Sequence, residues 1–193
     1  MSPSSQLYLA STSPRRREIL QSLGVNFEIA NVDTDERPLQ DESAEEMVLR
    51  LATAKADGAV GADLVLGSDT VVVLDDRILG KPTDADDAVE MLLALSGRSH
   101  RVLTGVALKT PQGTRAVLSA TDVRFREIGR DEAIRYWQSG EPADKAGSYG
   151  IQGLGGIFVE SINGSYSGVM GLPVFETVEL LRSAGIEVLA KQK

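Results

Sequence analysis

The sequence predicts a mixed α/β (α+β) domain, a long twisted mixed sheet with helices packed on it, and three stretches carry that expectation. LYLA at residues 7–10 is a short apolar run leading straight into SPRRREIL, so a strand feeds a helix. ADLVLGSDTVVVL, residues 62–74, is apolar and β-branched enough to read as a buried strand. SHRVLTGVALK and AVLSATDVRF flank the turn residues PQG at 111–113, the pattern of a long antiparallel hairpin.

The elements follow in order. Ser13 suits a helix N-cap and Pro14 the first turn, so a helix starts there and buries Ile19, Leu20 and Leu23. Arg15, Arg16 and Arg17 come next, although a helix N-terminus carries partial positive charge and favours acids; each arginine should cost a few tenths of a kcal/mol there. An anion bound at that terminus is what would make the arrangement worthwhile.

Residues 25–30 read as a second strand or extended segment. Ser43 and Glu46 have capping-box spacing, opening a helix whose apolar stripe includes Met47, Val48, Leu51 and Ala54. Lys55 follows Val48 by one heptad and shares the inward-leaning face, where it either snorkels outward or points into a cleft. The run 62–74 is expected to break at Gly67, Ser68 and Asp69, turn at Asp75 and Asp76, and return through Ile78 and Leu79. Asp84 can cap a helix running to about Leu95. After the hairpin come a helix near 131–138, a glycine-rich loop over 139–156, a strand at 157–162 and a helix at 173–184.

Composition narrows the function. A chain of 193 residues with 42% hydrophobic content supports one sizeable core, in a single domain over 1–193 or in two lobes around a cleft. The net charge of −8 argues against general attraction to nucleic acid or an anionic membrane, so an anion site must be local. No apolar run approaches the roughly 20 residues that span a bilayer, and the first residues have neither a basic start nor a signal-like stretch, so a cytoplasmic protein is expected. Without cysteine there are no disulfides, thiolate metal sites or cysteine nucleophiles. The single histidine, His100, enters a strand and reads as structural or solvent-facing rather than catalytic.

Asp69 is the most informative acid. It interrupts an apolar run, and its two readings are a polar kink between strands, or a metal ligand or general base at a strand end. Lys81, in GKP, is either a solvated turn lysine or a residue whose neighbour Gly80 permits close backbone approach. Asp35 and Glu36 are loop acids, and carboxylates commonly hold Mg²⁺ beside substrate phosphates. The glycines at 147, 150, 153, 155 and 156 give neither GxGxxG nor a Walker loop. They mark either a flexible loop or one whose backbone approaches a flat ligand, with Gln152 as its donor and acceptor.

LYLASTSPRRREIL, GSDTVV, GKP, SGRSHRVLTGVAL and DKAGSYGIQGLGGIFVESINGSYSGVMGLP together resemble the Maf family, the septum formation inhibitor group, across nearly the whole chain. The resemblance implies a fold related to the inosine triphosphate pyrophosphatases, two lobes around a cleft, and in many members a homodimer. It implies a nucleoside triphosphate pyrophosphatase that uses a divalent cation, Mg²⁺ or Mn²⁺, and releases the monophosphate and pyrophosphate. Asp69 matches the family's proton acceptor, Ser11, Arg16, Lys55 and Lys81 its phosphate-contacting positions, and Glu36 with Asp69 its metal side.

Members resembling 7-methyl-GTP enzymes carry Trp, Gln and Glu where this chain has Arg15, Thr70 and Gln152, which resemble the dTTP and UTP group instead. A neutral amide presents both a donor and an acceptor to a uracil or thymine edge, whereas a glutamate only accepts. The resemblance leaves two other functions to weigh: a nucleotide-binding regulator of septum formation, and a pyrophosphatase preferring 7-methyl-GTP, ITP or XTP.

Overall fold

A computed structural model describes residues 6–188. In chain order these residues form β1 (Leu7–Ala10), α1 (Pro14–Ser22), β2 (Glu28–Ile29), α2 (Ala44–Asp57), β3 (Leu64–Leu74), β4 (Arg77–Leu79) and α3 (Ala85–Leu95). Then follow β5 (Ser99–Thr110), β6 (Gly113–Phe125), α4 (Arg130–Gln138), β7 (Val159–Asn163), α5 (Tyr166–Met170) and α6 (Val174–Ser183). The class is mixed α/β. The seven strands form one sheet in the order β2-β1-β3-β5-β6-β7, with β4 paired to β3. Parallel β1–β3 pairing sets Leu7 opposite Leu64 and Ala10 opposite Gly67, while β3–β4 and β6–β7 are antiparallel. Among the described residues no helix is long and apolar enough to cross a membrane.

Backbone packing divides the chain into two compact units. The first holds the N-terminal part through Asp69, residues 104–119 and the stretch from Gly171 onward. Here α2 forms as its sequence dictates: the Ser43 hydroxyl accepts from the Glu46 amide at 3.2 Å, and the Glu46 carboxylate accepts from the Ser43 amide at 2.9 Å. The buried stripe of α2 runs through Met47, Val48, Leu51, Ala52 and Ala56, with Ala54 half-buried. The stripe turns onto small residues because the helix backbone meets two glycines. A Cβ on Gly67 would lie 2.3 Å from the Ala52 carbonyl oxygen, and one on Gly105 would lie 2.3 Å from that of Val48. Only a bare α-carbon allows an approach this close.

The second unit holds residues 70–103 and 120–170. Its core gathers Leu92 and Leu95 of α3 with Val102, Phe125, Tyr149 and Phe158. His100 lies inside it, 2% exposed, with Nε2 2.9 Å from the Tyr149 hydroxyl and its ring edge-on to Phe125 at 4.8 Å. The structural reading of His100 holds. Burial depresses its pKa from 6.5 to about 4, so the imidazole is neutral at pH 7. A buried neutral histidine binds fewer protons than the unfolded chain between those two values, so its stabilising effect is complete above pH 6.5 and is lost as pH falls towards about 4. The loss amounts to about 3 kcal/mol at most. Urea unfolding at pH 7.5 and 4.5 should show a smaller acid penalty in His100→Gln than in the wild type; equal penalties would contradict this account.

Several sequence expectations need correction. The strand over 64–74 does not break at Gly67, Ser68 and Asp69: β3 runs through them as eleven continuous residues. Each polar group there is accommodated, Gly67 by pairing with Ala10, Ser68 and Asp69 by side-chain hydrogen bonds. Ser13 occupies the N-cap position of α1 but its side chain makes no capping bond; the Ser13 amide instead donates to the Ser11 hydroxyl at 3.2 Å. Only Glu28–Ile29 of residues 25–30 pairs as a strand. The glycine-rich segment folds into three 3₁₀ turns, Glu141–Asp144, Ala146–Ser148 and Leu154–Phe158, and the short helix α5 was not foreseen.

Candidate active site

In the first unit, β1 ends at Ala10 and the chain turns at once into α1, bringing Ser11 and Arg16 together. Arg16 donates through Nη1 to the Ser11 hydroxyl at 3.3 Å and through Nε to the Gly171 carbonyl at 2.8 Å. The Ser68 hydroxyl donates to the same carbonyl at 2.9 Å. Next along β3 is Asp69, and the Lys55 ammonium donates to it at 2.7 Å and to Glu36 at 2.6 Å. The side chains of Lys55 and Asp69 are only 12% and 11% exposed, whereas Glu36 is 55% exposed. Lys55 therefore faces inward, which settles its sequence ambiguity.

The fit of α2 against Gly67 explains the meeting of Lys55 and Asp69. A helix seated on the strand one turn before Lys55 sets that side chain over the strand residue two positions beyond the glycine, on the same face. The loop carrying Glu36 is held by α2 as well. Arg50 donates to Glu42 at 2.5 and 2.7 Å and to the Arg37 carbonyl at 3.2 Å, and Glu42 accepts from the Leu39 amide at 3.1 Å.

Arg16, Arg15, Asp69 and Glu36 also interact through charge. Burial lowers the pKa of the Arg16 guanidinium, Asp69 opposes that, Arg15 adds to it and Glu36 opposes it again. Arg15 and Arg16 are half-buried while Arg17 is exposed, so the first two arginines serve this cluster and the third faces solvent. Three cations against two carboxylates leave a local positive excess in a chain of net charge −8. Such a cluster can take up an anion that the rest of the surface would repel.

Glu36 and Asp69 are also the candidates for a metal. They supply oxygen donors from two carboxylates converging on one ammonium, a set suited to a hard divalent cation whose remaining ligands come from water and substrate phosphate. Among the described residues no group of three or more His, Cys, Asp or Glu side chains is arranged to hold a metal.

In the second unit, Lys81 is exposed in the GKP turn after β4, and the Gly80 carbonyl accepts from the Gly147 amide at 3.0 Å. The turn is thereby tied to the glycine-rich segment. Gln152 is exposed within that segment, on a turn closed by the Gly153 amide donating to the Gly150 carbonyl at 3.1 Å. Thr70 is half-buried in β3, and strand pleating directs it away from the face of Asp69.

Sequence reasoning missed Gly171, which contributes only a backbone carbonyl and sits at φ +112°. Its one visible signal was a glycine preceding LP at a helix start. Ser68 was noticed only as a neighbour of Asp69.

A family model described as Maf-like protein matches residues 6–184. The chain belongs to the Maf family. Curated relatives in the family are similar over nearly their full lengths. A dTTP/UTP pyrophosphatase of Saccharophagus degradans is 52% identical, covering 96% of this chain and 91% of the relative. The one from Hahella chejuensis is 52% identical over 95% and 94%, and that of Vibrio parahaemolyticus 50% identical over 94% and 98%. Among solved structures, the Staphylococcus aureus Ham1 protein aligns at a TM-score of 0.45 and 14% identity, covering 62% of this chain and 71% of its own.

Proposed function

We propose that this Maf-family protein is a nucleoside triphosphate pyrophosphatase acting on dTTP and UTP, and on modified pyrimidine nucleotides, to clear them from the nucleotide pool. The observation that carries the reading is the buried Lys55–Asp69 pair beside Arg16, a carboxylate within β3 held among cations from α2 and from the turn between β1 and α1. The names of relatives at about half identity over nearly the whole chain supply the substrate class.

In this reading Arg16, Lys55 and Lys81 bind the triphosphate, with Ser11 fixing the Arg16 fork. A lysine ammonium has three donors, and with Glu36 and Asp69 taking two, the third N–H of Lys55 is available to a phosphate oxygen. Asp69 accepts a proton from the attacking water. The water oxygen bonds to the α-phosphorus, the bond from that phosphorus to its bridging oxygen breaks, and pyrophosphate leaves with the electron pair. A divalent cation held by Glu36 and Asp69 would supply charge neutralisation for the phosphates. Arg15, Thr70 and Gln152 are assigned to substrate choice: Gln152 would offer its amide to the base edge, and Thr70, on the face of β3 opposite Asp69, would act indirectly through the strand that carries Asp69.

The test is pyrophosphate release from dTTP, UTP, CTP, 7-methyl-GTP, ITP and GTP with Mg²⁺ or Mn²⁺. Preferential release from dTTP and UTP is expected. Turnover confined to 7-methyl-GTP or ITP would keep the reaction and refute the substrate assignment, and tight binding without turnover would favour a regulator of septum formation. The family resemblance also supports a homodimer, which light scattering at micromolar concentration would overturn by giving the mass of one chain.

A further inference from the structure

The glycine-rich segment of the second unit is built around the carboxylate of Glu141. Glu141, in the first 3₁₀ turn, accepts from the Leu154 amide at 2.8 Å, the Gly155 amide at 3.0 Å and the Tyr136 hydroxyl at 2.7 Å. Tyr136 in turn accepts from the Gly150 amide at 3.1 Å. These bonds grip the backbone on both sides of Gln152. Two of the glycines exist to make room: a Cβ on Gly153 would lie 2.3 Å from a Glu141 oxygen, and one on Gly155 would lie 2.5 Å from the Tyr136 oxygen.

The clasp is rigidly mounted. Tyr136 is 5% exposed and packs edge-on against Phe158 at 5.0 Å, and Ile151, beside Gln152, is 8% exposed. Lys145 closes the other flank, donating to the Glu141 carbonyl at 2.6 Å. Gln152 is left as an exposed side chain on a fixed turn, its amide nitrogen close over Gly150. A surface glutamine on a free loop would have to be ordered by each nucleotide it met, at a cost in affinity; one on a clamped turn is ordered beforehand.

We infer that Glu141, acting with Tyr136 through the amides of Gly150, Leu154 and Gly155, is a positioning residue that presents Gln152 to the nucleotide base. The inference rests on the proposed reading of Gln152 as the base-contacting side chain. Its effect is on choice of base and not on phosphate capture.

The experiment compares kcat/KM for UTP and CTP in the wild type, Glu141→Gln, Tyr136→Phe, Gln152→Ala and the Glu141→Gln/Gln152→Ala double variant. Inhibition by tripolyphosphate, which has no base, is measured alongside. Glu141→Gln should lower the UTP/CTP ratio about tenfold while changing tripolyphosphate inhibition less than about twofold. In the Gln152→Ala background it should lower the ratio no further, because both changes remove the same discrimination. Tyr136→Phe keeps the ring packing and removes only the hydroxyl, so it gives a second reading if Glu141→Gln unfolds. An unchanged ratio in the folded variants, or a tenfold fall that recurs without Gln152, would overturn the inference. A wild type that does not prefer UTP to CTP overturns instead the substrate reading beneath it, and shows this before any variant is assayed.

Discussion

Asp69→Asn should lower kcat for nucleotide hydrolysis by about 10²–10⁴-fold, the range that positioned general-base catalysis contributes. The asparagine keeps the shape of the side chain and a carbonyl oxygen able to accept from the Lys55 ammonium, so the loss falls on proton acceptance and on any cation held there. Lys55 keeps Glu36 as its anionic partner, and the strand keeps its pairing, so the variant should remain folded. Nucleotide affinity should change far less than turnover, because Arg16 and Lys55 are retained. The measurement is single-turnover pyrophosphate release together with nucleotide binding by calorimetry. Wild-type turnover in the variant would remove Asp69 from the chemistry, and a parallel collapse of binding would make it a binding residue instead.

The second large effect is expected from a single methyl group. Gly67→Ala places a Cβ 2.3 Å from the Ala52 carbonyl oxygen and 2.7 Å from the Ala56 amide nitrogen, both backbone atoms of α2. No rotamer relieves such a clash, so the helix must lift from the strand, and overpacking of this kind costs about 1–3 kcal/mol. Gly105→Ala meets the Val48 carbonyl at the same distance and should behave alike. Because α2 carries Lys55 to Asp69, activity should fall more than the stability loss alone explains, even at temperatures where the variant is fully folded. Urea denaturation and kcat at 15 °C measure the two effects separately. A variant as stable and as active as the wild type would mean that α2 does not need this seat.

These two sites also show how much the sequence discloses. The capping box at Ser43 and Glu46 was legible because capping is local, with both partners within four residues. So was the entry of β1 into α1. Asp69 was legible as an oddity, a carboxylate in an apolar run, but its partner was not: the heptad spacing put Lys55 on the inward face of α2, while the strand residue it meets, fourteen positions on, depends on how α2 seats on β3. The expected break at Gly67 failed because glycine in a strand signals either a bend or a close backbone approach, and only the packing of α2 distinguishes them. The glycine-rich segment was ambiguous for the same reason, reading either as a flexible loop or as a close backbone approach to a flat ligand. In the fold two of its glycines, Gly153 and Gly155, leave space for the Glu141 carboxylate and the Tyr136 hydroxyl, neither of which stood out in the sequence.

The acceptor shared by Arg16 and Ser68 is a main-chain oxygen, and no codon change deletes it. Its two donors are each one missense change from loss. Mutational failure at this junction is therefore lopsided. Replacing a donor removes one of the two bonds, whereas a side chain at position 171, where φ is +112°, would turn the carbonyl and release both together. In a saturation scan of the gene the silent glycine should tolerate fewer replacements than the serine, although it brings no functional group of its own.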